Sequence, residues 1–95
     1  AASATGGRSS VVADPNPVRT GEDVFAQGRG FCGLKTCPAV RITLAGRLVR
    51  QGVRPRRNGT FSARFVARAA PGTYVLVARQ GKRVATTRLH VALGD

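Results

Sequence analysis

The sequence predicts an all-β sandwich. Three observations carry that prediction. Apolar and polar residues alternate in several short runs, turn signals punctuate those runs, and no apolar period of 3.6 residues persists over three turns. Two sheets with one apolar face each bury those faces against one another. Composition agrees: twelve glycines and five prolines ask for many turns, and the chain has neither methionine nor tryptophan. Valine, leucine, alanine and phenylalanine must therefore fill the interior, a mixture that suits short strands. At 95 residues the chain fits one domain. A chain of this size buries roughly 60 to 65% of its extended surface, so its core is compact, with little room for an internal ligand cavity.

Residues 1 to 10, AASATGGRSS, show no periodicity and read as a flexible lead-in to a single domain over residues 11 to 95. Val11 and Val12 start an edge strand that Pro15 and Pro17 end, because neither proline has an N–H to give to a ladder. TGED (20 to 23) reads as a turn into VFAQGRGF. In AVRITLAG, Val40, Ile42 and Leu44 alternate with Arg41 and Thr43, the period of a half-buried strand. RLVR (47 to 50) makes a short return strand after Gly46, and QGVRPRRNG (51 to 59) reads as a loop with the turn pair Asn58-Gly59. TFSARFVA puts Phe61, Ala63 and Phe65 on one face, opposite Ser62 and Arg64. After the turn APG (70 to 72), Tyr74, Leu76 and Ala78 share a face, and Gln80-Gly81 turns the chain again. The last run directs Ala85, Thr87, Leu89, Val91 and Leu93 inward and Arg88 and His90 outward. The total is about seven strands.

The two cysteines, Cys32 and Cys37, lie in RGFCGLKTCPAV. A structural zinc site needs four ligands, and their spacing is wider than in common zinc knuckles. His90, the lone histidine, falls on the solvent side of the last strand. Redox catalysis asks for CxxC at a helix N-terminus, and neither the spacing nor the helix is here. A disulfide closing a small loop fits best, with Gly33 supplying the flexibility that bridging needs. It would imply an oxidising compartment, hence export. The alternative is two reduced cysteines packed as small hydrophobes.

Little else points to chemistry. Asp14, Glu22, Asp23 and Asp95 fall in turns or at the terminus, where they form no acid/base pair. A calcium site from Asp14, Glu22 and Asp23 would be opposed by the surrounding arginines. No serine stands in GxSxG, and GRGFCG lacks the lysine and helix of a phosphate-cradling loop. The expectation is a protein that is not an enzyme, with no catalytic residue, metal or cofactor. No stretch approaches the roughly 20 apolar residues of a membrane helix. The small-residue start AASATGG fits the trace left by a cleaved signal peptide, and a trimmed chain would look the same.

Charge is the most distinctive property: sixteen basic residues, fourteen of them arginine, against four acidic ones. Arg47, Arg50, Arg54, Arg56 and Arg57 fall within eleven positions. Arginine forks match phosphate and sulfated polysaccharide bidentately, so this segment is the expected contact surface for an anionic partner. A solvated arginine-rich hairpin reads the same way, because arginine usage also follows genomic base composition. Sequence-neutral nucleic-acid binders add exposed aromatics for stacking, whereas Phe61, Phe65 and Tyr74 read as core here. Phe25 and Phe31 are ambiguous, and Phe31 beside the cysteine ring is placed to pack that loop down.

From Pro15 onward the order of signals resembles a bacterial immunoglobulin-like surface module. The matching pieces are Pro17 and Gly21, then Val24, Gly28, Gly30 and Phe31, then Val40, Ile42, Leu44 and Gly46. Asn58, Gly59, Phe61 and Phe65 follow, then Pro71, Gly72, Tyr74, Leu76 and Ala78, with Val91 near the end. The chain is also similar to small secreted actinobacterial sandwiches of the enediyne-apoprotein type, which carry a short-spaced disulfide and often a cleft ligand. Those are usually longer and acidic, unlike this chain. The resemblance implies an immunoglobulin-like β-sandwich in a secreted, periplasmic or cell-surface protein, with a structural, adhesion or protein- or glycan-binding role. Two alternatives stand beside it. One is a basic nucleic-acid-binding protein using the same arginines. The other is a small-ligand carrier with a cleft between its sheets, which an exposed Phe25, Phe31 or Tyr74 lining a concavity would favour.

Overall fold

A computed structural model describes residues 9 to 93. Two sheets pack face to face, as the alternation requires. The first holds β1 (Ser10–Asp14), β3 (Asp23–Arg29) and β6 (Phe61–Val66), in the order β1-β3-β6. The second has the order β2-β8-β7-β4-β5, from β2 (Val18–Arg19), β8 (Arg83–Ala92), β7 (Gly72–Gln80), β4 (Val40–Leu44) and β5 (Arg47–Val53). All neighbours are antiparallel except β2 and β8, where Val18 lies opposite Val91 in a parallel pair.

The alternating runs lie where the pattern placed them. Val40, Ile42 and Leu44 are buried on β4, Phe61, Ala63 and Phe65 on β6, and Leu76 and Ala78 on β7, with Tyr74 half-buried. Ala85, Leu89 and Val91 are buried on β8, while Arg88 and His90 face solvent. These side chains meet Val11, Val18, Val24 and Ala26 in one core between the sheets.

Four details differ from the expectation. The described strands number eight rather than about seven. The added one is β2, whose two residues are too few to show a period and which forms because Val18 finds Val91 across the parallel pair. Gln51, Gly52 and Val53 belong to β5 and not to a loop. Leu93 is 76% exposed because it lies past the last paired residue of β8. The turn between β7 and β8 is Gly81-Lys82, with Gln80 pairing Arg83 inside the ladder. The expected lead-in over residues 1 to 10 falls mostly outside the described residues, and Ser10 is already the first residue of β1.

The chain changes sheet where the prolines stop β1. Pro15 and Pro17, both in cis peptides, carry it from β1 to β2. Asn16 holds this crossing against β8: its Nδ2 donates to the Arg88 carbonyl at 2.8 Å, and its Oδ1 accepts from the His90 N–H at 3.0 Å. Between β4 and β5 the reversal is a two-residue turn in which Ala45 and Gly46 both take positive φ, 54° and 82°. That geometry matches the right-handed twist of the strands it joins.

Candidate anion-binding surface and the stapled loop

The loop between β3 and β4 contains the Cys32–Cys37 disulfide. Three further contacts fix it. Phe31 is 4% exposed and meets the Phe61 ring edge to face, with centroids 5.1 Å apart. Gln80, the buried polar residue at the end of β7, accepts from the Cys32 N–H at 2.7 Å. Its Nε2 donates to the carbonyls of Cys32 and Pro38 at 2.8 and 2.9 Å. Gly33 lies so close to the turn before β6 that a Cβ there would come 2.0 Å from the Arg56 carbonyl oxygen. The bridge is thus one of several ties on a loop that is already packed.

This arrangement bounds what the bridge contributes. Closing so short a ring stabilises by about 2 kcal/mol through the unfolded state. Cys32→Ser/Cys37→Ser is therefore expected to remain folded and lose about that much, because Gln80 and Phe31 still hold the loop. Urea unfolding of the two proteins, compared at equal m-value, checks this. An unfolded double variant would show that the bridge is needed to form the loop at all.

The five arginines, all exposed, take different positions. Arg47 and Arg50 lie on β5, the outer strand of its sheet, and line an open cleft of about 740 Å³. Arg54 turns back instead, its Nη1 donating to the Cys37 carbonyl at 2.8 Å. Arg56 lines a separate groove that also includes Arg29 and Phe61. Its backbone closes the turn to β6, with the Gly59 N–H donating to the Arg56 carbonyl at 2.8 Å. Arg57 is exposed in that turn. The turn itself is the expected one: Asn58 Oδ1 accepts from the Thr60 hydroxyl at 2.7 Å and from its N–H at 3.2 Å.

Two arginines that the linear cluster did not include complete the cleft. Arg64 on β6 and Arg68 just after it face Arg47 and Arg50 across the opening. Sequence distance hid them, because β5 and β6 come together only at the open side of the sandwich. Phe65, Leu44, Leu48 and Tyr74 supply an apolar lining. The Tyr74 hydroxyl donates to the Ala70 carbonyl at 2.6 Å, fixing the ring at one end of the cleft. Among the described residues, no carboxylate lines it. Asp23 approaches Arg64 at 3.9 Å, with both side chains more than half exposed, and an exposed pair of this kind is screened and weak.

The remaining polar groups are dispersed. His90 is exposed, with its Nδ1 hydrogen-bonded to Thr73 Oγ1 at 2.9 Å. Glu22 Oε1 accepts from the Arg19 N–H at 3.1 Å. Among the described residues, no three His, Cys, Asp or Glu side chains gather as a metal site would require. Nor is any helix there long and apolar enough to cross a membrane.

No family model and no curated protein matches the chain. Among solved structures it is similar to part of the endo-β-1,4-mannanase from Thermotoga petrophila, with a TM-score of 0.57 and 9% identity. The match covers 93% of this chain and 20% of that one. At that identity the likeness is one of fold alone.

Proposed function

We propose that this chain is a non-catalytic, immunoglobulin-like module of an exported protein, which holds a protein or glycan partner through its basic surface. The observation that carries the reading is the Cys32–Cys37 bridge, since disulfides form and persist in oxidising compartments. Two features of the sandwich support the immunoglobulin-like part. Apart from the short β2 beside β8, its strand order, β1-β3-β6 against β8-β7-β4-β5, corresponds to the A-B-E and G-F-C-C′ arrangement of that fold. Tyr74, near the start of β7, bonds back to Ala70 at the corner where the chain changes sheet, as a tyrosine corner does. One feature departs from antibody domains: the bridge lies inside a single loop and does not join the sheets.

A second reading, the small-ligand carrier, draws on Tyr74 lining a concavity between the sheet edges. Phe25 does not help it, because its ring is 42% exposed on the outer face of the three-stranded sheet, and Phe31 is buried.

The test is the thiol state in the native host. Cells are quenched with an alkylating reagent before lysis, and the protein is recovered. Both cysteines are expected to resist alkylation until a reductant is added. Immediate alkylation of both, together with tight duplex-DNA binding that weakens steeply with salt, would overturn the exported reading in favour of a phosphate-binding cytoplasmic protein.

A further inference from the structure

Resting on that binding-module reading, we propose that the cleft between β5 and β6 receives an extended, acid-rich peptide segment of a partner protein, which adds as a strand to the free edge of β5. The argument begins with which residues line the cleft. Arg47, Leu48, Val49 and Arg50 are consecutive, and so are Arg64, Phe65 and Val66. Successive side chains of a regular strand point to opposite faces, so the consecutive run on β6 shows that strand's edge, whereas on β5 the register shifts between Ile42–Arg50 and Thr43–Leu48 and Val49 is the extra residue of a bulge. Both strands are the outermost of their sheets, so each wall carries a backbone edge. Among the described residues, β5 is bonded to β4 alone and β6 to β3 alone.

Between its bulges the free edge of β5 repeats N–H and C=O groups at roughly 3.4 Å per residue, and the ligand whose own groups repeat at that spacing is another extended peptide. A sugar chain has no such match. Charge then selects among peptides. Four arginines rim the cleft, and among the described residues no carboxylate lines it. A basic edge repels a second copy of this chain, whose net charge is +12, and so guards against edge-to-edge aggregation. The same charges admit a segment carrying alternate Asp or Glu, for which each arginine offers a paired donor fork. The apolar lining of Leu48, Phe65 and Tyr74 takes the intervening side chains. All four arginines are exposed, so the fold does not depend on them.

The test uses the intact chain and a fluorescein-labelled peptide of alternating Glu and Val, followed by fluorescence anisotropy at low and physiological salt. The comparators are the Lys-for-Glu peptide and the acidic peptide N-methylated at alternate residues in either register. Oligogalacturonate and duplex DNA complete the set. The acidic peptide is expected to bind and the Lys peptide not to. One N-methylated register should bind at least about tenfold more weakly. Arg47→Ser/Arg50→Ser and Arg64→Ser/Arg68→Ser should each weaken binding by about tenfold while leaving the thermal midpoint unchanged. Equal binding of both N-methylated peptides would overturn strand addition, since charge alone would then suffice. Tighter binding of oligogalacturonate or DNA through the same arginines would overturn the peptide assignment. If no probe binds, the cleft proposal falls, while the exported-module reading still rests on the thiol state measured separately.

Discussion

Phe61→Ala is expected to lower the unfolding free energy by about 3–5 kcal/mol. For a chain of this size that corresponds to a fall in thermal midpoint of roughly 12 °C or more. Phe61 is 3% exposed, and its ring is shared by two structural units. On one side it meets the edge of Phe31, which anchors the stapled loop to the core. On the other it lies over Gly28, its cross-strand partner on β3, where a Cβ would come 2.0 Å from the ring carbon Cε2. The ring thus fills the space that every residue but glycine would claim. Gly28→Ala alone is accordingly expected to cost about 1–3 kcal/mol, because the ring must shift from its place against Phe31 to make room. In the Phe61→Ala background that steric cost vanishes. The double variant should then be more stable than the sum of the two losses predicts, by at least about 1 kcal/mol. A urea-unfolding double-mutant cycle measures this directly, and strict additivity would refute the contact.

Gln80→Ala carries the second large effect, expected at about 2–4 kcal/mol. One side-chain amide serves three backbone groups of the stapled loop, at 2.7, 2.8 and 2.9 Å. Gln80 is itself 3% exposed. Truncation leaves an N–H and two carbonyls without their partner at a site only partly open to water, and such orphaned groups are the costly case. Gln80→Glu separates hydrogen bonding from packing. It keeps the volume and the acceptor for the Cys32 N–H, but sets a carboxylate oxygen against two carbonyls that need a donor. Its loss at neutral pH should equal or exceed that of the alanine variant. Amide exchange at Cys32 should accelerate in both variants, while exchange in the centre of β7 changes only as far as global stability does. A loss below about 0.5 kcal/mol in either variant would mean that water replaces the amide without penalty.

Much of the sandwich was legible because a strand with one buried face writes its orientation into the sequence with a period of two. β4, β6 and β8 show this plainly. β5 does not, since as the outer strand it exposes residues on both faces and offers no alternation to read. Gln80 was within reach of the same logic. The inward register Tyr74, Leu76, Ala78 continues to position 80, and a polar residue in that register asks what it bonds to.

The all-β class, the inward faces of the long strands, the turns at Gly46 and Asn58-Gly59, and the availability of a short disulfide are all legible in the linear chain. Each is set by forces acting between near neighbours: side-chain alternation, turn conformation and the reach of two thiols across a small ring. Which arginines lie together depends on the packing of the two sheets. Arg54, within the linear cluster, is drawn onto the Cys37 carbonyl, while Arg64 and Arg68, well beyond Arg57 in sequence, join Arg47 and Arg50 across the cleft. The physical reason is that a local charge run reports only proximity along the chain. The electrostatic field at a cleft depends on which strand edges the packing of two sheets brings face to face.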